Sequence, residues 1–129
     1  MTKKIAILQS NYIPWKGYFD IIGSVDEFIF YDEMQYTKND WRNRNKIKTP
    51  NGTQWLSIPV ATKGHISNDI RIIDAKIIDK KWAIKHWNTI YQFYKKAPYF
   101  NQYKDIFEQL YKESSNEEFL CKVNYKFII

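Results

Sequence analysis

Residues 5–44 read IAILQSNYIPWKGYFDIIGSVDEFIFYDEMQYTKNDWRNR, and the fold is decided there. An apolar run, Ile5–Leu8, enters a loop of polar and aromatic residues. A short helix follows over Trp15–Ile22, with Trp15, Phe19 and Ile22 at helical spacing. Gly23-Ser24 ends it, and Glu27–Tyr31, rich in Phe and Ile, reads as a second strand. Two strands joined through a helix run parallel, with a right-handed crossover. Lys4–Gln9, bounded by Ser10 and Asn11, reads as a buried parallel strand. In open α/β sheets ligands sit in the crevice outside the carboxyl ends of the strands. Here that crevice receives Gln9, Tyr12, Trp15 and Tyr18 after the first strand, and Asp32 and Gln35 after the second.

Working outward, Asn51-Gly52 lies between Lys46–Lys48 and Gln54–Ile58, a hairpin signal with Pro59 closing the second arm. Lys63–Asn68 reads as a loop and Ile70–Ile78 as another strand. Asp79 can cap a helix over Lys80–Lys96, with Ala83, Trp87, Ile90, Tyr91 and Tyr94 on one face. Trp82, His86 and Phe93 form a second aromatic stripe, and Pro98 ends the helix. Lys104–Lys112 is a further helix, and Ser115–Glu118 reads as a capping box opening a last one. The expected fold is therefore a single α/β domain over residues 1–129. Its small, mostly parallel sheet opens with a strand-loop-helix-strand unit, followed by a β-hairpin and a helical C-terminal half. The last helix stops on Phe127-Ile128-Ile129 without a cap, which reads as the N-terminal portion of a longer protein.

The 129 residues, 44% hydrophobic and 18% aromatic, suffice for one domain burying about two thirds of its unfolded surface. One cysteine, Cys121, cannot form an internal disulfide and fits a buried small hydrophobe. No Cys/His spacing suggests a metal site. The apolar run after Lys3 and Lys4 is too short for a signal peptide, and nothing approaches the ~18 apolar residues of a membrane span. These features point to the cytoplasm. The net charge of +6 suggests an anionic partner, yet most lysines spread over helical faces. The one dense cluster is Trp41-Arg42-Asn43-Arg44-Asn45-Lys46.

That cluster joins an indole to two guanidiniums, whose forks match phosphate or carboxylate. In an extended segment Arg42 and Arg44 point one way and Asn43 the other. In the first loop Tyr12, Trp15 and Tyr18 offer rings to a sugar or base, Gln9 and Gln35 offer amides, and Pro14 suits a helix start. Asp32 can serve as general base or cap a turn. His86 can serve as acid or base, or as a satisfied interior histidine, and His65 is a weaker candidate. The expected ligand is a small molecule with an anionic, phosphate-bearing part. Nucleic acid is disfavoured because no binding motif accompanies the charge. No residue pattern identifies a cofactor.

The pattern Gln9-x-x-Tyr12-x-Pro14-Trp15-x-Gly17-Tyr18-Phe19, then Tyr31-Asp32-x-x-Gln35-Tyr36, Trp41-Arg42-Asn43-Arg44-Asn45, Gly52-x-x-Trp55-Leu56 and Trp82-x-x-x-His86 resembles the WbqC-like protein family. Ser10 departs from it, since the family usually carries proline there. The resemblance implies a bacterial protein of surface-polysaccharide assembly, including O-antigen, with transfer of glycine or another small acyl group to an amino sugar as the suggested role and a sugar nucleotide or an activated amino acid as the small anionic substrate. A non-catalytic glycan- or nucleotide-binding module would use the same residues.

Overall fold

A computed structural model describes residues 2–37, 40–61 and 70–129. The expected loop over Lys63–Asn68, with His65, lies outside the described residues. Strand β1 (Ile5–Leu8) leads through α1 (Lys16–Ser24) to β2 (Glu27–Phe30), and the strands pair in parallel, Ile7 opposite Ile29. Ala6, Leu8, Phe28 and Phe30 share one face, which meets Tyr18 of α1 at 5.5 Å from Phe28 and Tyr125 at 4.5 Å from Phe30. The other face is open: Ile5, Ile7 and Ile29 are 51%, 56% and 42% exposed. The expectation of a strand buried on both sides is thereby corrected. Helices cover one face of this two-stranded sheet, so its side chains alternate between half-buried and exposed.

Strands β3 (Arg44–Thr49) and β4 (Gly52–Ser57) form the antiparallel hairpin. Its turn is not centred on Asn51-Gly52. Thr49 pairs with Gly52, so Pro50 and Asn51 occupy the turn, and Gly52 takes φ +112° beyond it. Proline fixes φ near the value the first central position needs, and glycine accepts the left-handed residue that follows.

The segment expected as a strand over Ile70–Ile78 is a 3-10 turn at Ile72–Asp74 flanked by single bridges, Gln35 to Arg71, Val60 to Ile77 and Lys76 to Phe119. Three short strips each need a partner there, and Asp74-Ala75 breaks the extended run between them. Helix α2 (Trp82–Tyr94) starts after Asp79, whose carboxylate accepts the Lys81 N–H. Its buried face carries Trp82, Ala83 and His86, so the second stripe is the deeper one, while Tyr91 is exposed.

Helix α3 (Phe100–Ser114) begins at Tyr99, a residue at φ +67°. The expected capping box is absent. Ser115 closes α3, its hydroxyl donating to the Lys112 carbonyl, and α4 (Leu120–Ile128) starts after Phe119 without a side-chain cap. The core lies between hairpin and helices, around Ile58, Ile72, Trp82, Tyr111, Leu120 and Val123. Among the described residues no helix is long and apolar enough to cross a membrane.

Candidate functional site

The carboxyl ends of β1 and β2 meet through Asp32. One of its oxygens accepts the Ser10 N–H at 2.8 Å and the other accepts the Tyr125 hydroxyl at 2.8 Å. The carboxylate is 2% exposed. Ser10, at the position where the resembling family carries proline, thus uses an N–H that proline lacks. Its hydroxyl accepts from Asn124 Nδ2, which also donates to the Arg42 carbonyl. Burial, reinforced by Asp32, holds the Tyr125 phenol far above its ordinary pKa.

From Ser10 the loop turns both inward and outward. Tyr12 is fully buried, and its hydroxyl lies 2.9 Å from His86 Nδ1 and 2.5 Å from the Tyr111 hydroxyl. His86 Nε2 is 2.9 Å from the Ser57 carbonyl, which can only accept. The proton therefore sits on Nε2, Tyr12 donates to Nδ1, and Tyr111 donates to Tyr12. Burial lowers the His86 pKa to about 4, against a smaller raising effect of the Ser57 bond. The ring is neutral at pH 7. Burial likewise raises Tyr12, with Tyr111 adding to the shift. Tyr12 meets Trp82 and Phe127 edge to face, so no face of its ring remains for a ligand.

At Ile13 the backbone reaches φ +45°, an outlier for a β-branched residue. Asn45 holds it there, its Nδ2 donating to the carbonyls of Ile13 and, at 3.2 Å, of Tyr12. The Tyr12 N–H bonds to the Trp41 carbonyl at 3.2 Å. Such a conformation persists only where its surroundings over-determine it, and it concentrates at binding sites. Here it throws Pro14 and Trp15 outward. Trp15 is 59% exposed and stands over Gly17, where a Cβ would collide with the indole Nε1.

Trp15, Pro14 and Asn11 line a cleft of about 420 Å³ whose other wall is Trp41 and Asn45. The first loop and the Trp41 segment thus border one concavity. Asp40 anchors the far wall, accepting the Trp41 N–H at 2.7 Å and the Thr37 hydroxyl at 2.8 Å. Burial opposes its charge, but these bonds and the nearby Arg42 and Arg44 hold its carboxyl below the ordinary range.

The remaining candidates separate. Arg42 turns inward, donating to Asn11 Oδ1 and standing 3.9 Å from Asp40. Asn43 Nδ2 bonds to the Ile58 carbonyl. Arg44 instead lies on the outer face of the hairpin, its Cζ 4.0 Å from the centre of the Trp55 ring. Tyr18 is buried, its hydroxyl donating to the Gln9 carbonyl at 2.8 Å. Gln35 is engaged through its backbone with Arg71, away from the cleft lining. Sequence reasoning did not anticipate that Trp55, outside the cleft lining, backs Trp41 at 5.3 Å, although its place opposite Lys46 follows from hairpin register. Tyr111, Asn124 and Tyr125 gave no local signal, because each meets its partner only through the packing of α3 and α4.

Residues 9–129 match the model of the WbqC-like protein family. The chain is 50% identical over 114 residues to the uncharacterized protein Rv1507c of Mycobacterium tuberculosis (strain ATCC 25618 / H37Rv), covering 88% of this chain and 48% of that protein. It therefore spans about half the length of the curated relative it matches. No solved structure gives a significant match. With the matching model extending over nearly the whole chain, from the Gln9 loop through α4, the chain belongs to the WbqC-like protein family.

Proposed function

We propose that the cleft between Asn11–Trp15 and Trp41–Asn45 binds the sugar of a nucleotide- or lipid-linked amino sugar. In this reading the protein is a cytoplasmic transferase of bacterial surface-polysaccharide assembly, O-antigen included, that adds glycine or another small acyl group to that sugar. One observation carries it: two indoles, Trp15 and Trp41, 59% and 45% exposed, share a small cleft with the amide of Asn11, while Asn45, whose amide is committed to the Tyr12 and Ile13 carbonyls and the Lys46 N–H, shapes its wall. A pyranose ring presents C–H faces, which pack on indoles, and hydroxyls, which need amide partners. Asn11 commits its Oδ1 to Arg42 and keeps its Nδ2 donor for a hydroxyl or an acyl carbonyl. The cleft falls within the ordinary range of small-molecule sites, roughly 300–1,000 Å³.

A non-catalytic binding module is the second reading, and the state of Asp32 and His86 favours it. Both are buried, and each already uses both of its side-chain oxygens or nitrogens inside the fold. Either would take the proton of an attacking amine only after giving up one of these bonds. The test is a titration of the indole fluorescence with a nucleoside-diphosphate amino sugar. Quenching is expected, and Trp15→Ala and Trp41→Ala should abolish it without lowering the melting temperature. No quenching by any such sugar sinks the reading. Product formed from an activated glycine donor supports the transferase, and binding without turnover supports the module.

A further inference from the structure

A second cavity, of about 500 Å³, opens between α2, α3 and the hairpin residue Ile47. Along α3 it runs from the buried Tyr111 to the half-exposed Tyr103, eight residues or about 12 Å at the helical rise. Trp87 and Ile90 of α2 form the facing wall, and Ile13 closes the inner end beside Tyr111. The lining is almost wholly apolar. Tyr111 spends its hydroxyl on Tyr12, and the Tyr94 hydroxyl accepts the Lys48 N–H at 2.8 Å. The phenols of Tyr99 and Tyr103 and the ammonium of Lys104 remain, all at the outer end.

That distribution selects the occupant. A sugar or a peptide backbone brings hydroxyls or amides that would find no partners along such walls. A hydrocarbon chain needs none and gains with every methylene it buries. The mouth has the opposite character. Lys104 lines it, and Lys95 and Lys96 directly precede its rim residues Ala97 and Pro98. Among the described residues none of these three lysines is ion-paired with a carboxylate. Asp105, the nearest acid in sequence, lies outside the lining. Tyr99, held at φ +67° and 76% exposed, sets a phenol between the apolar interior and the charged rim, the place an amphipathic ring suits. An apolar chain ending in an anion complements both parts, and a dianionic phosphate matches a mouth of three cations better than a carboxylate does.

We infer that the cavity between α2 and α3 is a binding site for a single-chain lipid phosphate, its chain lying along Phe107 toward Tyr111 and its phosphate meeting Lys104 at the mouth. This site goes beyond the sugar reading and does not depend on it. The two cavities share only a partition: Ile13 and Ile47 line this one, while Pro14 and Asn45, on the same two segments, line the cleft.

Calorimetric titration with farnesyl phosphate, kept below its micellar concentration, tests the site. Binding is expected, and the shorter geranyl phosphate should bind at least tenfold more weakly. Lys104→Ala should cut the preference for farnesyl phosphate over farnesol about tenfold, the scale of one charge-assisted hydrogen bond, and leave farnesol binding as it was. Phe107→Asn, at a position 41% exposed, should weaken both ligands alike. Ala97→Phe, which fills the rim and removes nothing from the core, should do the same if Phe107→Asn fails to fold. Absence of farnesyl phosphate binding overturns the proposal, as does binding that the folded cavity variants leave unchanged. Dodecanoate binding more tightly than dodecyl phosphate also overturns it. So do two other occupants: self-association in sedimentation velocity that Ala97→Phe abolishes, or capture by phosphatidylglycerol vesicles without binding of the soluble lipid. The cleft fails separately. No fluorescence response to a nucleoside-diphosphate amino sugar removes the sugar reading and leaves this site standing, and Trp15→Ala should leave farnesyl phosphate binding intact.

Discussion

The loop between β1 and α1 has two halves that differ in almost every physical respect. Ser10, Asn11 and Tyr12 are buried, and the Ser10 N–H and hydroxyl, the Asn11 Oδ1 and the Tyr12 hydroxyl are engaged by residues remote in sequence. Three residues further, Trp15 is largely exposed, standing over Gly17 with one edge-to-face contact to Tyr18 at 5.7 Å. The contrast teaches that the buried half is the mount and the exposed half the tool. Tyr12, His86 and Tyr111 form a dry chain in which the Tyr12 hydroxyl both donates to His86 and accepts from Tyr111, and such a chain fixes a backbone well because any displacement orphans a polar group. Trp15 and Trp41 gain little from the fold where they are.

The division breaks most readily at Asp32. Replacing it with alanine leaves the Ser10 N–H and the Tyr125 hydroxyl without an acceptor in the interior, at about 1–3 kcal/mol each. Urea unfolding of Asp32→Ala should show a loss of roughly 4 kcal/mol. A loss below 1 kcal/mol would mean that this carboxylate is held for chemistry and not for the mount.

His86 gives the next largest effect, through pH. Its folded pKa of about 4 lies below the ordinary 6.5, so the unfolded chain takes up the proton first. The stability held by the neutral ring is complete above pH 6.5 and is lost as pH falls toward 4, amounting to roughly 3 kcal/mol. Unfolding free energies of wild type and His86→Gln, measured from pH 7.5 to 4, should differ in slope across that window and run parallel above it. Parallel curves throughout would show that the ring is already charged or solvated.

Much of the frame was legible in sequence. The parallel pair, the hairpin and the helices follow from apolar spacing and turn residues, whereas the cleft takes its far wall from Trp41 and Asn45 and not from Asp32 and Gln35 after β2. What could not be read is which way each loop residue faces. Tyr12 and Trp15 look alike as aromatic residues of one loop, and only Ile13 at positive φ, clamped by Asn45, sends one inward and the other out. Arg42 and Arg44 likewise share a cluster, yet the chain reaches extended β3 geometry only at Arg44, so the expected common direction never applies to Arg42. The capping box misled because Ser115 found the carbonyl of Lys112 closer than any N–H of the next helix.

Asn45 joins the two halves and gives a smaller effect. Asn45→Ala removes the donor that binds two carbonyls and frees Ile13 to leave its strained conformation. Thermal unfolding should show a loss of about 1–3 kcal/mol, and sugar-ligand binding should weaken in parallel because one wall of the cleft moves. Unweakened binding in a destabilised variant would separate mount from tool more fully than proposed.

The smallest expected change in stability tests the tool alone. Gly17 lies in α1 at an ordinary helical φ, so alanine there should gain about 0.5–1 kcal/mol from reduced unfolded-state freedom. The added methyl would nevertheless overlap the Trp15 indole, which must swing off the glycine. The indole is 59% exposed, so the move costs it chiefly its edge-to-face contact with Tyr18. Gly17→Ala should therefore melt no lower than wild type while the fluorescence response to a sugar diphosphate is lost. A variant equal in stability and equal in response would show that the position of Trp15 over Gly17 carries no part of recognition, and the cleft would then rest on Trp41 alone.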